Sequence, residues 1–506
     1  MNAIHTHSVL LRAVSAVLAF CLCASACLFA VFADTTDSGY TYIADSAKKT
    51  AQITGYTGSS HILKIPSSID GYKVTSIKSE AFKGKSTLLS VEIPDTVTNI
   101  GSEAFADCTL MGTVSLGTGV STIGAKAFQN CAVLTTITIP AATSSIGAGA
   151  FSGCKMLNNY TVDTGNLVYK SADDALYNKL GSTLIRYPAA HTRKSYTLPS
   201  GVLTIESGAF EDAKHLTEVD TGNSVTTVKE SAFKNCTALE KITLSTKVTK
   251  LEDELFSGCK KLSSVGIPTT ITAIGASAFK DCVAIPSLRI PDTVTTIGTD
   301  AFSGCTGMAS VTIGKGLTTI SGAAFKGCSG LKEFKLSDGA AYTVAGGVLF
   351  NKDGTRLIAY PAGKADKAYT VGDKVTAIGV YAFDSCKNLE SLTVPATVKT
   401  LAKPVIHNCG NTVVHVEPGS PAETYFKAET SGYASLKIGN DKPGDVNLDG
   451  QIDNADVILV RRYVAKWSSV TIDKTAADVN KDGNIDNADA ILLRRYVAKW
   501  PNVTLK

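Results

Sequence analysis

Residues 88–108, LLSVEIPDTVTNIGSEAFADC, decide the fold. Leu88, Val91 and Ile93 read as a strand, with Val91 and Ile93 facing inward and Glu92 outward. Pro94 ends that strand, because it has no N–H to give to a ladder. Val97, Ile100 and the Ala104–Phe105 pair supply a return leg, and Phe105 opens the next unit. The pattern recurs from Ile290-Pro291-Asp292-Thr293-Val294 through Ile297-Gly298 to Ala301-Phe302 and Cys305. One such unit cannot bury its apolar face alone, whereas stacked units bury it continuously, with each phenylalanine on the one before.

The cysteines give the period. Cys108, Cys131, Cys154, Cys236, Cys259, Cys282, Cys305, Cys328, Cys386 and Cys409 step by 23 residues within each run. Each follows a large apolar residue by three places: Phe105, Phe128, Phe151, Phe233, Phe256, Phe279, Phe302, Phe325, Phe383 or Ile406. Phe82 and Phe210 keep the phase, with Lys85 and Ala213 in the cysteine slot. A strict period of this length is the mark of a solenoid, and it turns the cysteines into an interior ladder of small apolar residues. Disulfides between adjacent coils or metal ligation are the other readings, but no Cys-x-x-Cys or paired-His spacing supports a metal.

This repeat resembles the leucine-rich repeats of bacterial BspA-like surface proteins. Ile53-Thr54-Gly55-Tyr56 and Ile69-Asp70-Gly71-Tyr72-Lys73-Val74 are similar to that family's opening. The resemblance implies a β-solenoid over roughly residues 40–439 that serves as an adhesin or binding surface.

Two gaps interrupt the period, from Phe151 to Phe210 and from Phe325 to Phe383. Each equals one coil plus an insertion, with Tyr187 and Tyr360 on the phenylalanine phase. The insertions are similar, Ala175-Leu176-Tyr177-Asn178-Lys179 answering Val348-Leu349-Phe350-Asn351-Lys352, and Asp353-Gly354 marks a tight turn, so β-hairpins are expected. Tyr160, Tyr169, Tyr177, Tyr187 and Tyr196 can pack the first hairpin or grip a sugar ring; their phases favour packing. The outward strand residues Ser115, Thr138, Thr161, Thr243, Thr312 and Thr393 form a small polar face.

The C-terminus is a tandem duplication, in which residues 444–467 and 477–500 match at 19 of 24 positions. Each copy opens with alternating oxygen donors at the spacing of a calcium loop. The first uses Asp445, Asn447, Asp449, the Gln451 carbonyl, Asp453 and Asp456, and the second Asp478, Asn480, Asp482, the Asn484 carbonyl, Asp486 and Asp489. Gly450 and Gly483 allow the bend at the sixth place. Two calcium ions are expected. No entering helix is expected before either loop, since Pro443 and Lys474-Thr475-Ala476 are poor starts. The stripe Val457, Val460, Val464 with Ala490, Leu493, Val497 reads as the core between two helices.

This segment resembles a type I dockerin, a module that binds cohesins on cellulosomal scaffoldins. The resemblance implies cohesin contacts at Asn454, Ala455, Arg461, Arg462 and Lys466, and at Asn487, Ala488, Arg494, Arg495 and Lys499, with either half able to face the partner. The basic residues also suit a helix C-terminus by charge alone.

The fold class is therefore α+β multidomain, a leucine-rich-repeat β-solenoid followed by a small all-α dockerin. The expected divisions are an export signal at 1–33, an N-terminal cap and first coil at 34–78, and the solenoid at 79–410, with insertions near 163–186 and 337–359. A C-terminal cap at 411–440 and the dockerin at 441–506 complete the chain. The signal rests on Arg12, the apolar run Ala13–Val31 and the small residue Ala33. A net charge of +4 over 506 residues is too weak for a nucleic-acid surface, and no membrane insertion is expected after signal cleavage. The expected role is that of a secreted, cell-surface-associated, non-catalytic binding protein. The alternative is a cellulosomal hydrolase of plant-cell-wall polysaccharide, acting through acidic residues such as Glu218, Asp220 and Glu240. No nucleophile elbow, phosphate loop or metal-spaced histidine pair supports it; His61, His191, His215, His407 and His415 are scattered.

Overall fold

The computed structural model describes residues 34–35, 39–438, 443–447, 451–467, 470 and 472–506. The export signal expected at 1–33 and the calcium ligand expected at Asp449 lie outside them.

The chain winds into a β-solenoid whose neighbouring coils are hydrogen-bonded on three sides. On one wall, parallel strands Ile62–Lys64, Ser90–Glu92 and Thr113–Ser115 pair with Val91 opposite Val114. On a second wall, short parallel strands set Ile100, Ile123 and Ile146 side by side. On the third, the Phe105 N–H donates to Ala127 O and the Phe128 N–H to Ala150 O, both at 2.8 Å. Around each ring the backbone bends through left-handed residues two places before and after, such as Glu103 and Asp107 (φ 56° and 61°). Asp107, Asn130, Asp212 and Asn235 hold the later of these positions, where short polar side chains tolerate that conformation best.

Packing follows the period. Phe82, Phe105 and Phe128 stack at 4.9 and 5.4 Å, and the run from Phe210 to Phe325 repeats the spacing at 4.8–5.6 Å. The ten described cysteines are buried and unbridged. Cys131 Sγ donates to Phe105 O at 3.3 Å and Cys282 Sγ to Phe256 O at 3.1 Å, so these thiols serve carbonyls of the preceding coil, whereas Cys386 Sγ turns to Asp384 O of its own coil at 3.6 Å. Burial pushes the thiols of Cys108 and Cys305 up to about 12. The Ile100-Gly101 and Ile297-Gly298 pairs have a steric cause: a Cβ on Gly101 would lie 2.3 Å from Ser79 N, and one on Gly298 would lie 2.6 Å from Ala276 N.

Strands Tyr169–Ala172, Ala175–Asn178 and Thr183–Arg186 form an antiparallel meander, and the last rejoins the short-strand wall with Thr183 opposite Thr204. Tyr342–Ala345, Val348–Asn351 and Arg356–Ala359 do the same, with Arg356 opposite Ala377. The ladder resumes after each, as Tyr187 stacks on Phe210 at 5.2 Å and Tyr360 on Phe383 at 5.3 Å. The five tyrosines of the first insertion are all buried, and the Tyr177 and Tyr196 hydroxyls share a 2.6 Å hydrogen bond. They pack the core. Thr138, Thr161 and Thr243 are exposed, while Glu218 pairs with Lys241 one coil on at 2.6 Å.

Beyond the last coil, helix Pro421–Ala428 buries Ala422 and Phe426, and strand Tyr433–Ile438 pairs in parallel with Cys409–Val416. Among the described residues, no helix is long and apolar enough to cross a membrane.

Candidate calcium and partner-binding site

Two eleven-residue helices, Asn454–Val464 and Asn487–Val497, carry this site. The Asp-Asn-Ala-Asp that opens each one is a reciprocal cap. Asp453 and Asp486 accept the N–H of Ala455 and Ala488 at 2.7 Å. In return, Asp456 Oδ2 and Asp489 Oδ2 accept the N–H of Asp453 and Asp486 at 2.9 and 3.0 Å. Lys466 and Lys499, both left-handed at φ 56°, end the helices, and the Trp467 and Trp500 N–H groups turn back to Arg462 O and Arg495 O at 3.1 Å. Between the helices lie Val457, Val460, Ala490 and Leu493, joined by Val446 and Val479 from the loops.

Asp456 and Asp489 tie loop to helix. Both are fully buried. Asp456 Oδ1 accepts the N–H of Val446 (2.8 Å) and Asn447 (3.2 Å), and Asp489 Oδ1 those of Val479 (3.0 Å) and Asn480 (3.3 Å). With the cap bond, each buried carboxylate accepts from three N–H groups, which satisfies it.

The second loop shows how the other donors are placed. Asp478 accepts the N–H of Asp482 (3.2 Å) and Gly483 (3.0 Å), Asn480 Oδ1 that of Asp482 (2.8 Å), and Asp482 Oδ1 that of Asn484 (2.8 Å). Gly483 takes φ 88° at the bend. The Asn484 N–H beside Asp482 holds its carboxyl below the usual range. In the first loop Asp445 is fully buried, Asn447 is half-buried, and Gln451 and Asp453 are exposed.

The donor set is entirely oxygen, and none of Asp478, Asp482, Asp486 and Asp489 is ion-paired to a Lys or Arg among the described residues. That chemistry fits a hard divalent cation. The carboxylates as they stand are turned onto loop N–H groups, and among the described residues no three His, Cys, Asp or Glu side chains converge on one point.

One expectation is corrected. A helical turn, Lys474–Ala477, does precede the second loop: Asp473 caps it by accepting the Ala476 N–H at 2.7 Å, and Ala476 and Ala477 are buried in the shared core. An acidic cap and two buried alanines suffice for one turn, although the segment is too short to show a helical period.

The residues implied as partner contacts are all exposed: Asn454, Ala455, Arg461, Arg462 and Lys466 on one helix, and Asn487, Ala488, Arg494, Arg495 and Lys499 on the other. The sequence reading missed the apolar members of the same surface. Ile458 and Ile491 are 48% and 51% exposed, and Trp467 and Trp500 are 62% and 56% exposed. Arg462 lies over Trp467 and Arg495 over Trp500, each at 5.3 Å. Helical spacing held the signal, since Ile458 follows Ala455 by three places and precedes Arg462 by four.

A family model described as the BspA type leucine rich repeat region matches residues 75–193, 187–309, 272–353 and 366–421, and the type I dockerin domain model matches 443–498. No curated protein matches the chain. Three solved structures are similar. A leucine rich cell surface protein of Faecalibacterium prausnitzii A2-165 is 27% identical, covering 60% of this chain and 94% of that one at a TM-score of 0.39. A leucine-rich repeat protein of Bacteroides ovatus ATCC 8483 is 22% identical, covering 80% of this chain and all of its own at 0.45. The pneumococcal vaccine antigen PcpA is 14% identical, covering 82% and 99% at 0.39. With the repeat model matching well over half of its 506 residues, this chain belongs to the BspA-type leucine-rich-repeat family and carries a type I dockerin domain at residues 443–498.

Proposed function

We propose that this chain is a secreted, non-catalytic recognition protein, anchored by its dockerin to a cohesin on a cellulosomal scaffoldin while its solenoid engages a polysaccharide or protein. Type I dockerins bind calcium, and two ions are assigned here. Asp445, Asn447, Asp449, the Gln451 carbonyl, Asp453 and Asp456 would hold one, and Asp478, Asn480, Asp482, the Asn484 carbonyl, Asp486 and Asp489 the other. The ion supplies positive charge that gathers the loop carboxylates in front of a helix N-terminus.

The observation that carries the reading is the duplicated exposed helix face. Asn454, Ala455, Ile458, Arg461 and Arg462 are solvent-facing, and so are Asn487, Ala488, Ile491, Arg494 and Arg495. Neither face is needed for the core, which both helices satisfy through Val457, Val460, Ala490 and Leu493. An apolar centre ringed by arginines is the anatomy of an interface that meets an acidic partner.

The test is binding of the full chain to immobilised type I cohesins, in calcium and then in chelator. Calcium-dependent binding is expected. It should survive Arg461→Ala with Arg462→Ala, survive Arg494→Ala with Arg495→Ala, and be lost when all four are changed. Binding equal in chelator, or none to any cohesin in a broad panel, would sink the proposal.

A further inference from the structure

The two meanders create two related cavities against the phenylalanine ladder, and the differences between them point to a ligand. The first, about 360 Å³, lies between Phe151, Tyr169, Asn178 and Ile185; the second, about 570 Å³, lies between Phe325, Tyr342, Asn351 and Ile358. Each residue of the first set has its counterpart at the same place in the second.

The first cavity is filled by the chain itself. Arg186 lies buried there, donating to Gly208 O and reaching Glu211 Oε2 at 3.2 Å, and Glu206 lines the same space. In the second cavity Ala359 stands where Arg186 stands in the first, and Gly379 where Glu206 does. The plug and the Glu206 acid are gone, while Asp353 joins the lining at the place of Leu180. Two positions change in the opposite sense, with Lys326 replacing Ser152 and Arg356 replacing Thr183.

Two acids line the second cavity, Asp353 and Asp384, and both are already engaged. Asp353 accepts the Thr355 N–H at 3.0 Å and the Thr355 hydroxyl at 2.6 Å. Asp384 is buried, and its carboxylate meets His407 Nδ1 at 2.5 Å while accepting the Gly327 N–H at 2.6 Å and the Ser385 hydroxyl at 2.9 Å. Lys326 and Arg356 have no carboxylate partner among the described residues, although lysines elsewhere on the solenoid commonly do. Lys326 Nζ is held 4.2 Å from the centroid of the Tyr381 ring, which fixes its direction without neutralising it. Phe325 is half-buried, unlike the fully buried Phe302 below it, so the cavity has an aromatic floor. A space of this volume, half apolar and flanked by unpaired cations, has the make-up of a small-molecule pocket.

We propose that this second cavity binds a small organic anion, a carboxylate carried on a ring. The ring lies against Phe325 and Tyr342, and the carboxylate meets Lys326 and Arg356. The site is independent of the dockerin and does not rest on its anchoring role. Two kinds of compound share the chemistry, acidic sugars and aromatic acids.

Calorimetry on the full chain separates them, run in EDTA so that the calcium loops offer carboxylates no second site. Digalacturonate is titrated against neutral galactobiose, and 4-hydroxycinnamate against its alcohol. Saturable one-to-one binding of at least one acid is expected, about tenfold or more above its neutral counterpart. Ala359→Arg restores the residue that plugs the first cavity and should abolish binding. Lys326→Met keeps the side-chain stem and should weaken binding about tenfold. Thermal unfolding shows which variants are folded, and either folded variant suffices for the comparison. Failure of both acids to bind, or binding unchanged in a folded variant, overturns the proposal.

Discussion

Phe256→Ala removes a fully buried ring whose neighbours Phe233 and Phe279 stand at 5.6 and 5.3 Å. Coils on both sides hold the space open, so the lost burial is joined by the cost of a cavity, together about 3–5 kcal/mol. The two ring contacts place this site at the upper end of that range. Phe325→Ala offers the comparison. That ring is half-buried, stacks on Phe302 at 5.5 Å, meets Phe334 edge-on at 5.0 Å, and borders a cavity that already exists. Its loss is closer to the transfer term alone, about 1.5–3 kcal/mol. Urea unfolding followed by far-UV circular dichroism reads both. The chain's two tryptophans, Trp467 and Trp500, lie in the dockerin, so their fluorescence transition should stay where it is. Equal losses at the two sites, or a loss under about 1 kcal/mol at Phe256, would refute the stacked-ring account.

Three further outcomes are expected. Gly298→Ala, which sets a Cβ 2.6 Å from Ala276 N, should destabilise the solenoid by about 1–3 kcal/mol in the same urea assay. The ladder thiols of Cys108 and Cys305, pushed up to about 12 by burial, stay protonated at mildly alkaline pH; mass spectrometry should find them unalkylated in the native chain and alkylated in urea. Lys466→Gly replaces a left-handed residue at φ 56° with one that adopts it freely, and should raise the midpoint of the tryptophan-detected transition by roughly 0.5–1 kcal/mol of stability.

The solenoid was legible because each coil repeats one solution to one packing problem. The phase of Phe82, Phe105 and Phe128, and the return to that phase at Tyr187 and Tyr360, are properties of a one-dimensional stack and survive in the sequence. The reason for the glycine of Ile100-Gly101 was not legible, because it depends on a neighbouring coil's backbone 2.3 Å from the missing Cβ. The turn Lys474–Ala477 was hidden for a related reason: its support is the packing of Ala476 and Ala477, which no local pattern records. The dockerin domain itself was readable from the duplicated loop-and-helix segment, but the double duty of Asp456 and Asp489 as cap and loop clamp emerged only from three-dimensional contacts. The exchange of Arg186 for Ala359 stood in the aligned insertions, yet its meaning required the cavities they line.

The central claim, a calcium-loaded docking module on a repeat solenoid, is tested most directly by calorimetric titration of calcium into the full chain after EDTA stripping. The account predicts two ions bound per chain, and one in Asp478→Ala, which removes the acceptor for the Asp482 and Gly483 N–H groups as well as a proposed ligand. No saturable heat in the unaltered chain, or two ions still bound in Asp478→Ala, would contradict it.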